Sequence, residues 1–75
     1  MTYERLKQLT DGKIARFMYN GETYDIAYDS TYGHGVWYPG YGQIWLLTDQ
    51  FMETDFFQHL SEVTHIEWTK ENWRN

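Results

Sequence analysis

The dipeptide Asn20-Gly21 constrains the fold of this chain more than any other local feature. Asparagine followed by glycine readily adopts the positive φ angles of a two-residue type I′ turn, which matches the twist of a β-hairpin. The flanking segments, residues 13–19 and 22–28, are rich in the β-branched and aromatic residues that strands favour. The sequence therefore predicts an antiparallel hairpin with Asn20 and Gly21 at its tip.

A two-residue turn also fixes the pairing register of the hairpin. The predicted pairs are Tyr19 with Glu22, Met18 with Thr23, Phe17 with Tyr24, Arg16 with Asp25, Ala15 with Ile26, and Ile14 with Ala27. Side chains alternate between the two faces of a sheet, so one face carries Ala15, Phe17, Tyr24 and Ile26 while Arg16 and Asp25 meet on the other. We expect the first face to be core and the second to be at least partly exposed.

Helices are predicted both before and after this hairpin in the sequence. Thr2 can cap a first helix that ends near Gly12, and Thr48 or Asp49 can cap a second helix running to about Leu60. The apolar positions in both segments recur at nearly helical spacing.

Two further strands complete the predicted fold. Residues 44–48 form an apolar segment with apolar side chains on both faces, which predicts a strand in the centre of the sheet or under the helices. Residues 63–69 are expected to form the last strand. The prediction is an α+β fold with a small antiparallel sheet of three to four strands and two helices. Its element order is α-β-β-(loop or short β)-β-α-β.

The order of elements over about residues 3–28 resembles the start of Sm-like small barrels. The residues that carry this resemblance are the first helix, Gly12-Lys13, a strand, Asn20-Gly21 and a second strand. It implies an alternative fold, an Sm-like or SH3-like small barrel with added helices. Farther along, the strand at 44–48 leads into a helix and not into the continuing strands of that family, so no binding residue is carried over.

Length and composition predict one small domain spanning residues 1–75, with residues 70–75 as a frayed tail. The chain contains no cysteine, and 20% of its residues are aromatic, so large buried rings are expected to stabilise the core in place of disulfides. The longest apolar run, residues 44–47, is far shorter than a membrane span, and the N-terminal residues lack the apolar core of a secretion signal. We expect no membrane partner and a cytoplasmic protein.

The segment from 29 to 43 combines glycines with aromatic residues and is predicted to be a long loop, with a short strand at 36–38. The candidate binding residues in this segment are Tyr32, His34, Trp37, Tyr38 and Tyr41. Tyrosine and tryptophan supply a large contact area with few torsions to freeze, as at recognition surfaces. The alternative is that Trp37, Tyr38 and Tyr41 fold back over the core.

Neither a catalytic site nor a metal site is predicted. The histidines His34, His59 and His65 do not stand at metal-ligand spacing, so we expect no metal and no cofactor. Asp25, Asp29 and His34 could meet at the mouth of the hairpin, but nothing in their spacing requires it. The chain is therefore expected not to be an enzyme.

The formal net charge of −5 disfavours nucleic acid as a partner, because counterion release favours basic surfaces. The leading hypothesis is a non-enzymatic protein-binding module, a small acidic protein encoded by a phage or another mobile element and acting on a host protein. Some acidic residues could form a negative face that docks on a basic nucleic-acid-binding protein. The alternatives are a single-strand nucleic-acid binder that stacks bases on loop aromatics, and a small enzyme or metal-dependent regulator. A further alternative is a homodimer formed by the pairing of two chains.

Overall fold

A computed structural model describes residues 1–37 and 42–71, the last four of these by their backbone alone. The elements, in chain order, are α1 (Tyr3–Thr10), β1 (Lys13–Tyr19), β2 (Glu22–Asp29), β3 (Gly33–Trp37), β4 (Gln43–Leu46), α2 (Thr48–Met52), α3 (Asp55–Gln58), a 3-10 turn (Leu60–Glu62) and β5 (Thr64–Glu71).

The predicted hairpin and its register are confirmed. Strands β1 and β2 pair as the two-residue turn requires, from Tyr19↔Glu22 back to Ile14↔Ala27. Asn20 and Gly21 have φ angles of 53° and 77°, the left-handed values of this turn. Across the strands, Arg16 donates two hydrogen bonds to Asp25, Nε to Oδ1 at 2.8 Å and Nη2 to Oδ2 at 3.0 Å. This fork holds the two strands in register on the face away from the helices.

Replacing Gly21 by alanine tests the turn. Gly21 has a φ of 77°, and an added Cβ would meet no atom within 4 Å, so the only cost is the backbone conformation. We expect Gly21→Ala to lower the free energy of unfolding by about 1–2 kcal/mol, measured by urea denaturation. Gly42→Ala is the matched control, because Gly42 has equally open surroundings without a positive φ. Equal stability of the two variants would contradict the turn assignment.

Helix α1 has the predicted boundaries, whereas the second predicted helix is divided. The Thr2 hydroxyl accepts a hydrogen bond from the Arg5 N–H at 3.1 Å, and Gly12 has a φ of 72° just beyond the helix. The second helix was expected to be capped by Thr48 or Asp49 and to run unbroken to Leu60. Both expectations are wrong, because α2 is capped from Leu47, whose N–H donates to Gln50 Oε1 at 2.9 Å.

Thr54 is the physical cause of the division. Its hydroxyl donates to the Phe51 carbonyl at 2.7 Å, which closes α2, and it accepts from the Phe57 N–H at 3.2 Å, which caps α3. A side chain that bonds to the backbone on both sides competes with a continuous helix. The result is two short helices followed by a 3-10 turn.

The described strands form an open, antiparallel, five-stranded sheet in the order β4-β3-β2-β1-β5. The α+β class is thereby confirmed, but the sheet has five strands and not three to four. The extra strand is β3, Gly33–Trp37, in the segment that was predicted to be mainly a loop. Its glycines allow close strand approach, since Gly33 has a φ of 91° and lies against the Leu46 backbone.

Strand β4 is the second difference from the prediction. Its apolar residues predict a position in the centre of the sheet or under the helices. Strand β4 lies at one end of the sheet, with β5 at the other, and α2 packs on it. The small-barrel alternative is therefore not what the described strands form, because these two edges remain open. Strand β5 begins at Thr64, and its Lys70 and Glu71 pair with β1, so these two residues are not the expected frayed tail. Residues 72–75 of that tail lie outside the described part of the chain.

The core lies between one face of the sheet and the helices. This helix face carries Phe17 and Ile26, both fully buried, as the hairpin register predicts. Helix α1 packs on β1 and β2, whereas α2 packs on β3 and β4. The remaining buried members of this core are Leu6, Ala15, Tyr19, Val36, Phe51, Phe56 and Val63. Aromatic rings make up much of this core, as the composition indicated.

Candidate functional site

A row of three aromatic rings lies at the β4 end of the sheet. The Trp45 ring is in the middle, with its centroid 6.0 Å from that of Tyr32 and 6.4 Å from that of Trp37. The Tyr32 ring is tilted by 58° to the Trp45 ring, and the Trp37 ring meets it edge to face at 68°. Trp37 and Trp45 belong to the outer face, the sheet face opposite the helices, because they pair with the outer-face residues Asp25 and Gly35.

Gly35 explains why the Trp45 ring lies flat against the sheet. The two residues are cross-strand partners, and a Cβ at Gly35 would come within 3.0 Å of the Trp45 ring. The ring therefore occupies the space that any side chain at position 35 would fill. This contact fixes Trp45 in orientation and leaves it half-buried.

Asp29 shapes the turn that presents Tyr32. Its Oδ1 atom accepts hydrogen bonds from the Thr31 N–H at 2.7 Å and from the Tyr32 N–H at 3.0 Å. Asp29 itself is buried, whereas the Tyr32 side chain is 63% exposed. A buried carboxylate thus holds the backbone of an exposed aromatic residue in place.

Exposed apolar side chains are concentrated at the open edge of β4. Of the four large apolar residues that are exposed in the described part of the chain, Tyr32, Ile44 and Leu47 lie on or against this strand. The fourth, Met18, lies in β1, at 42% exposure. We call Tyr32, Ile44, Trp45 and Leu47 the β4 edge patch. Concentrated apolar exposure of this kind marks interaction sites, whereas single exposed apolar residues do not.

The five predicted binding residues are not brought together. Tyr32 and Trp37 lie at the two ends of the ring row, while Tyr38 and Tyr41 lie outside the described residues. His34 is fully buried on the helix face, so it is separated from the outer face by the sheet. The alternation of strand β3 produces this separation, which a loop would not have imposed.

His34 is part of the core. Its Nε2 atom is 2.7 Å from the Tyr3 hydroxyl, and its ring stacks on Phe51 with centroids 4.2 Å apart. Nδ1 is buried and has no hydrogen-bond partner among the described residues. Burial lowers the pKa of His34 to about 4, so the imidazole is neutral near pH 7.

A second titratable cluster joins the hairpin tip to α3. The Tyr19 hydroxyl donates to Asp55 Oδ2 at 2.9 Å, and the His59 ring stacks on Tyr19 with Nδ1 3.0 Å from Asp55 Oδ1. Burial and the neighbouring Asp55 raise the pKa of Tyr19 to about 12, and hydrogen bonding to Asp55 raises the pKa of His59. All three groups are engaged with one another, which is the geometry of a structural link.

The described residues contain no group of three or more potential ligands that could hold a metal ion. A groove of about 240 Å³ lies between α1 and β2 and is lined by Glu4, Lys7, Gln8, Asp11 and Tyr28. Its lysine lies 3.3 Å from Glu4 and 4.7 Å from the centre of the Tyr3 ring. The groove thus offers a small, mixed-charge surface without an arranged set of reactive groups.

Charge is strongly segregated along the chain. Residues 17–69 contain eight acidic residues and no lysine or arginine. The four basic residues before them, Arg5, Lys7, Lys13 and Arg16, lie in α1 and β1. Because α1 packs on β1 and β2, these basic residues belong to the other part of the sheet. The segment that follows β4 carries acidic residues, among them the exposed Asp49 and Glu53.

Sequence reasoning missed three members of the β4 edge patch, Ile44, Trp45 and Leu47. Their apolar run predicts a strand in the centre of the sheet or under the helices, although very short strands are also typical of sheet edges. The glycine at position 35 was a usable signal, since a strand glycine often lies under a large ring of the neighbouring strand.

Comparisons of this chain with protein-family models, with characterised proteins and with solved structures found no match. Among the described residues, no helix is both long enough and apolar enough to span a bilayer. The site must therefore be interpreted from its own geometry.

Proposed function

We propose that this protein is a non-enzymatic protein-binding module that binds its partner at the β4 edge patch. The observation that carries this proposal is the concentration of exposed apolar side chains at one open edge of the sheet, with Tyr32 63% exposed, Leu47 57% and Ile44 45%. An edge strand also presents unpaired backbone groups, so apolar contact and hydrogen bonding are available at the same place.

Two aromatic residues of the patch are held in place by neighbouring residues. Gly35 holds the Trp45 ring against the sheet, and the buried Asp29 holds the backbone of Tyr32. A partner that covers these rings freezes few additional torsions, which lowers the entropic cost of binding.

An enzymatic role is less well supported by the same residues. Asp25 is held by Arg16 in a two-hydrogen-bond ion pair, and Asp29 caps a turn, so neither carboxylate is poised toward an open cleft. His34 is the third member of the group considered from sequence, and it is buried in the core on the helix face of the sheet. The origin from a phage or mobile element, with a host protein as target, stays a prediction from length and charge.

A pair of lysine variants tests the proposed edge. Ile44→Lys places a charge within the patch, on β4 itself, whereas Met18→Lys places the same charge at a residue of similar exposure in β1. Because lysine on an edge strand blocks pairing, we expect proteins captured from a bacterial lysate by the wild type to be captured by Met18→Lys but lost by Ile44→Lys. Circular dichroism should show both variants folded.

Identical sets of proteins captured by all three baits would contradict the proposed site. Capture of the same chain as the main partner would favour the homodimer considered from sequence. Sedimentation equilibrium of the purified protein at two concentrations, with Ile44→Lys beside it, separates that outcome from binding of a different protein.

A further inference from the structure

We infer that the segment recognised by the β4 edge patch is an extended, basic peptide strand that pairs with β4 and places arginine or lysine side chains over the outer aromatic rings. This inference rests on the proposed function and specifies the chemistry of the partner.

An extended conformation follows from the two faces of β4. Ile44 lies on the helix face beside Val36, whereas Trp45 lies on the outer face beside Gly35. A strand added along β4 would alternate in the same way. Its residues on the helix side would meet the exposed Ile44, and those on the outer side would meet Trp45 and Tyr32. The edge therefore favours a strand that alternates apolar and ring-binding residues.

A basic partner follows from the charges around this edge. No lysine or arginine occurs from residue 17 to residue 69, and Asp49, which follows β4 by three residues, is exposed. The outer-face Arg16 lies on β1, two strands beyond β3, and is paired with Asp25. A cation over Trp45 or Tyr32 would gain cation–π attraction as well as attraction to nearby acids such as the exposed Asp49.

Ring geometry distinguishes this partner from a nucleic acid. Bases stack on exposed ring faces, but the rings here do not form a parallel stack: Tyr32 is tilted by 58° to Trp45, and Trp37 meets Trp45 edge to face at 68°. The acidic surroundings would also repel phosphates. A second copy of the chain is disfavoured because its own edge strand, Gln43–Leu46, carries no lysine or arginine to place over the rings.

The test uses the full chain and a short peptide of alternating arginine and valine, about eight residues long, titrated by calorimetry. Two control peptides have glutamate in place of arginine, or N-methyl groups on the amides of one edge. We expect the arginine peptide to bind, and both controls to bind about tenfold more weakly or worse. Raising the salt concentration should weaken binding of the arginine peptide, since the attraction is partly electrostatic.

The lysine variants locate the bound peptide. Both add one positive charge, so nonspecific attraction falls equally, and a loss of about tenfold in Ile44→Lys with less than about threefold in Met18→Lys supports pairing at β4. Equal binding by both variants would overturn pairing at this edge.

Three other results would overturn the inference, and the first two separate it from the proposed function. Equal affinity for the glutamate peptide would remove the basic partner while leaving the edge as the site. Absence of binding by the arginine peptide would exclude a basic strand as the partner. The capture of proteins from a lysate tests the proposed function independently of this result. Displacement of the peptide by a mixed-sequence single-stranded oligonucleotide would favour base stacking on the rings.

Discussion

A Gly33→Ala variant is expected to lose roughly 3 kcal/mol or more of its free energy of unfolding, more than the same change at any other described glycine. Gly33 has a φ of 91°, a backbone conformation that alanine rarely adopts. An added Cβ would also overlap the carbonyl oxygen of Leu46, which belongs to the neighbouring strand. Since backbone cannot move aside as a flexible side chain does, β3 and β4 would have to separate.

Urea denaturation of Gly33→Ala beside Gly21→Ala and Gly42→Ala measures this effect. Gly21 isolates the cost of a positive φ, and Gly42 isolates the cost of the methyl group alone, because neither has an atom within 4 Å of the added Cβ. The contribution of the β3–β4 contact is the loss in Gly33→Ala beyond that in Gly21→Ala. Losses of equal size would show that β4 does not pack against Gly33 as described.

Acid is expected to destabilise the protein through His34. Burial lowers the pKa of His34 to about 4 in the folded chain, from 6.5 in the unfolded chain. As the pH is lowered, the imidazole is protonated in the unfolded chain before it is protonated in the folded chain. The contribution of neutral His34 to the free energy of unfolding is therefore fully present above about pH 6.5 and is lost as the pH decreases toward 4. Between pH 7 and pH 5 we expect a loss of about 2 kcal/mol, and about 3 kcal/mol over the whole window.

Chemical denaturation at several pH values, with His34→Gln for comparison, tests this prediction. Glutamine keeps a group that can hydrogen-bond to the Tyr3 hydroxyl but does not titrate. The variant should therefore be less stable at pH 7 and should lose less stability on acidification. His59 acts in the opposite direction, because its pKa is raised in the folded chain and its contribution is lost as the pH rises. His59→Gln should therefore steepen the acid loss. Parallel pH profiles for wild type and His34→Gln would rule out His34 as the cause.

The hairpin could be predicted from sequence because its determinants are local. Asn20 and Gly21 fix the turn, the turn fixes the register, and alternation then places Phe17 and Ile26 in the core. Each step involves residues that are close in sequence, so no knowledge of the rest of the chain was needed.

The candidate site could not be predicted in the same way, because its determinants are distant in sequence. Whether the run from Ile44 to Leu47 lies at the centre or at the edge depends on how many strands precede it and on where β5 pairs. Gly33 and Gly35 indicated a loop by composition, yet they serve close contacts with Leu46 and Trp45. The burial of His34 was not predicted for the same reason, because successive residues alternate between opposite faces in a strand but not in a loop.

Amide hydrogen exchange measured by NMR, with and without the alternating arginine–valine peptide, tests the central claim most directly. In the free protein, every second amide of Gln43–Leu46 should exchange rapidly, because an edge strand leaves alternate N–H groups unpaired. We predict that the peptide slows these amides selectively, with little change at the hairpin tip around Asn20. Exchange that is already slow throughout β4 in the free protein, or protection confined to other strands, would contradict an open binding edge.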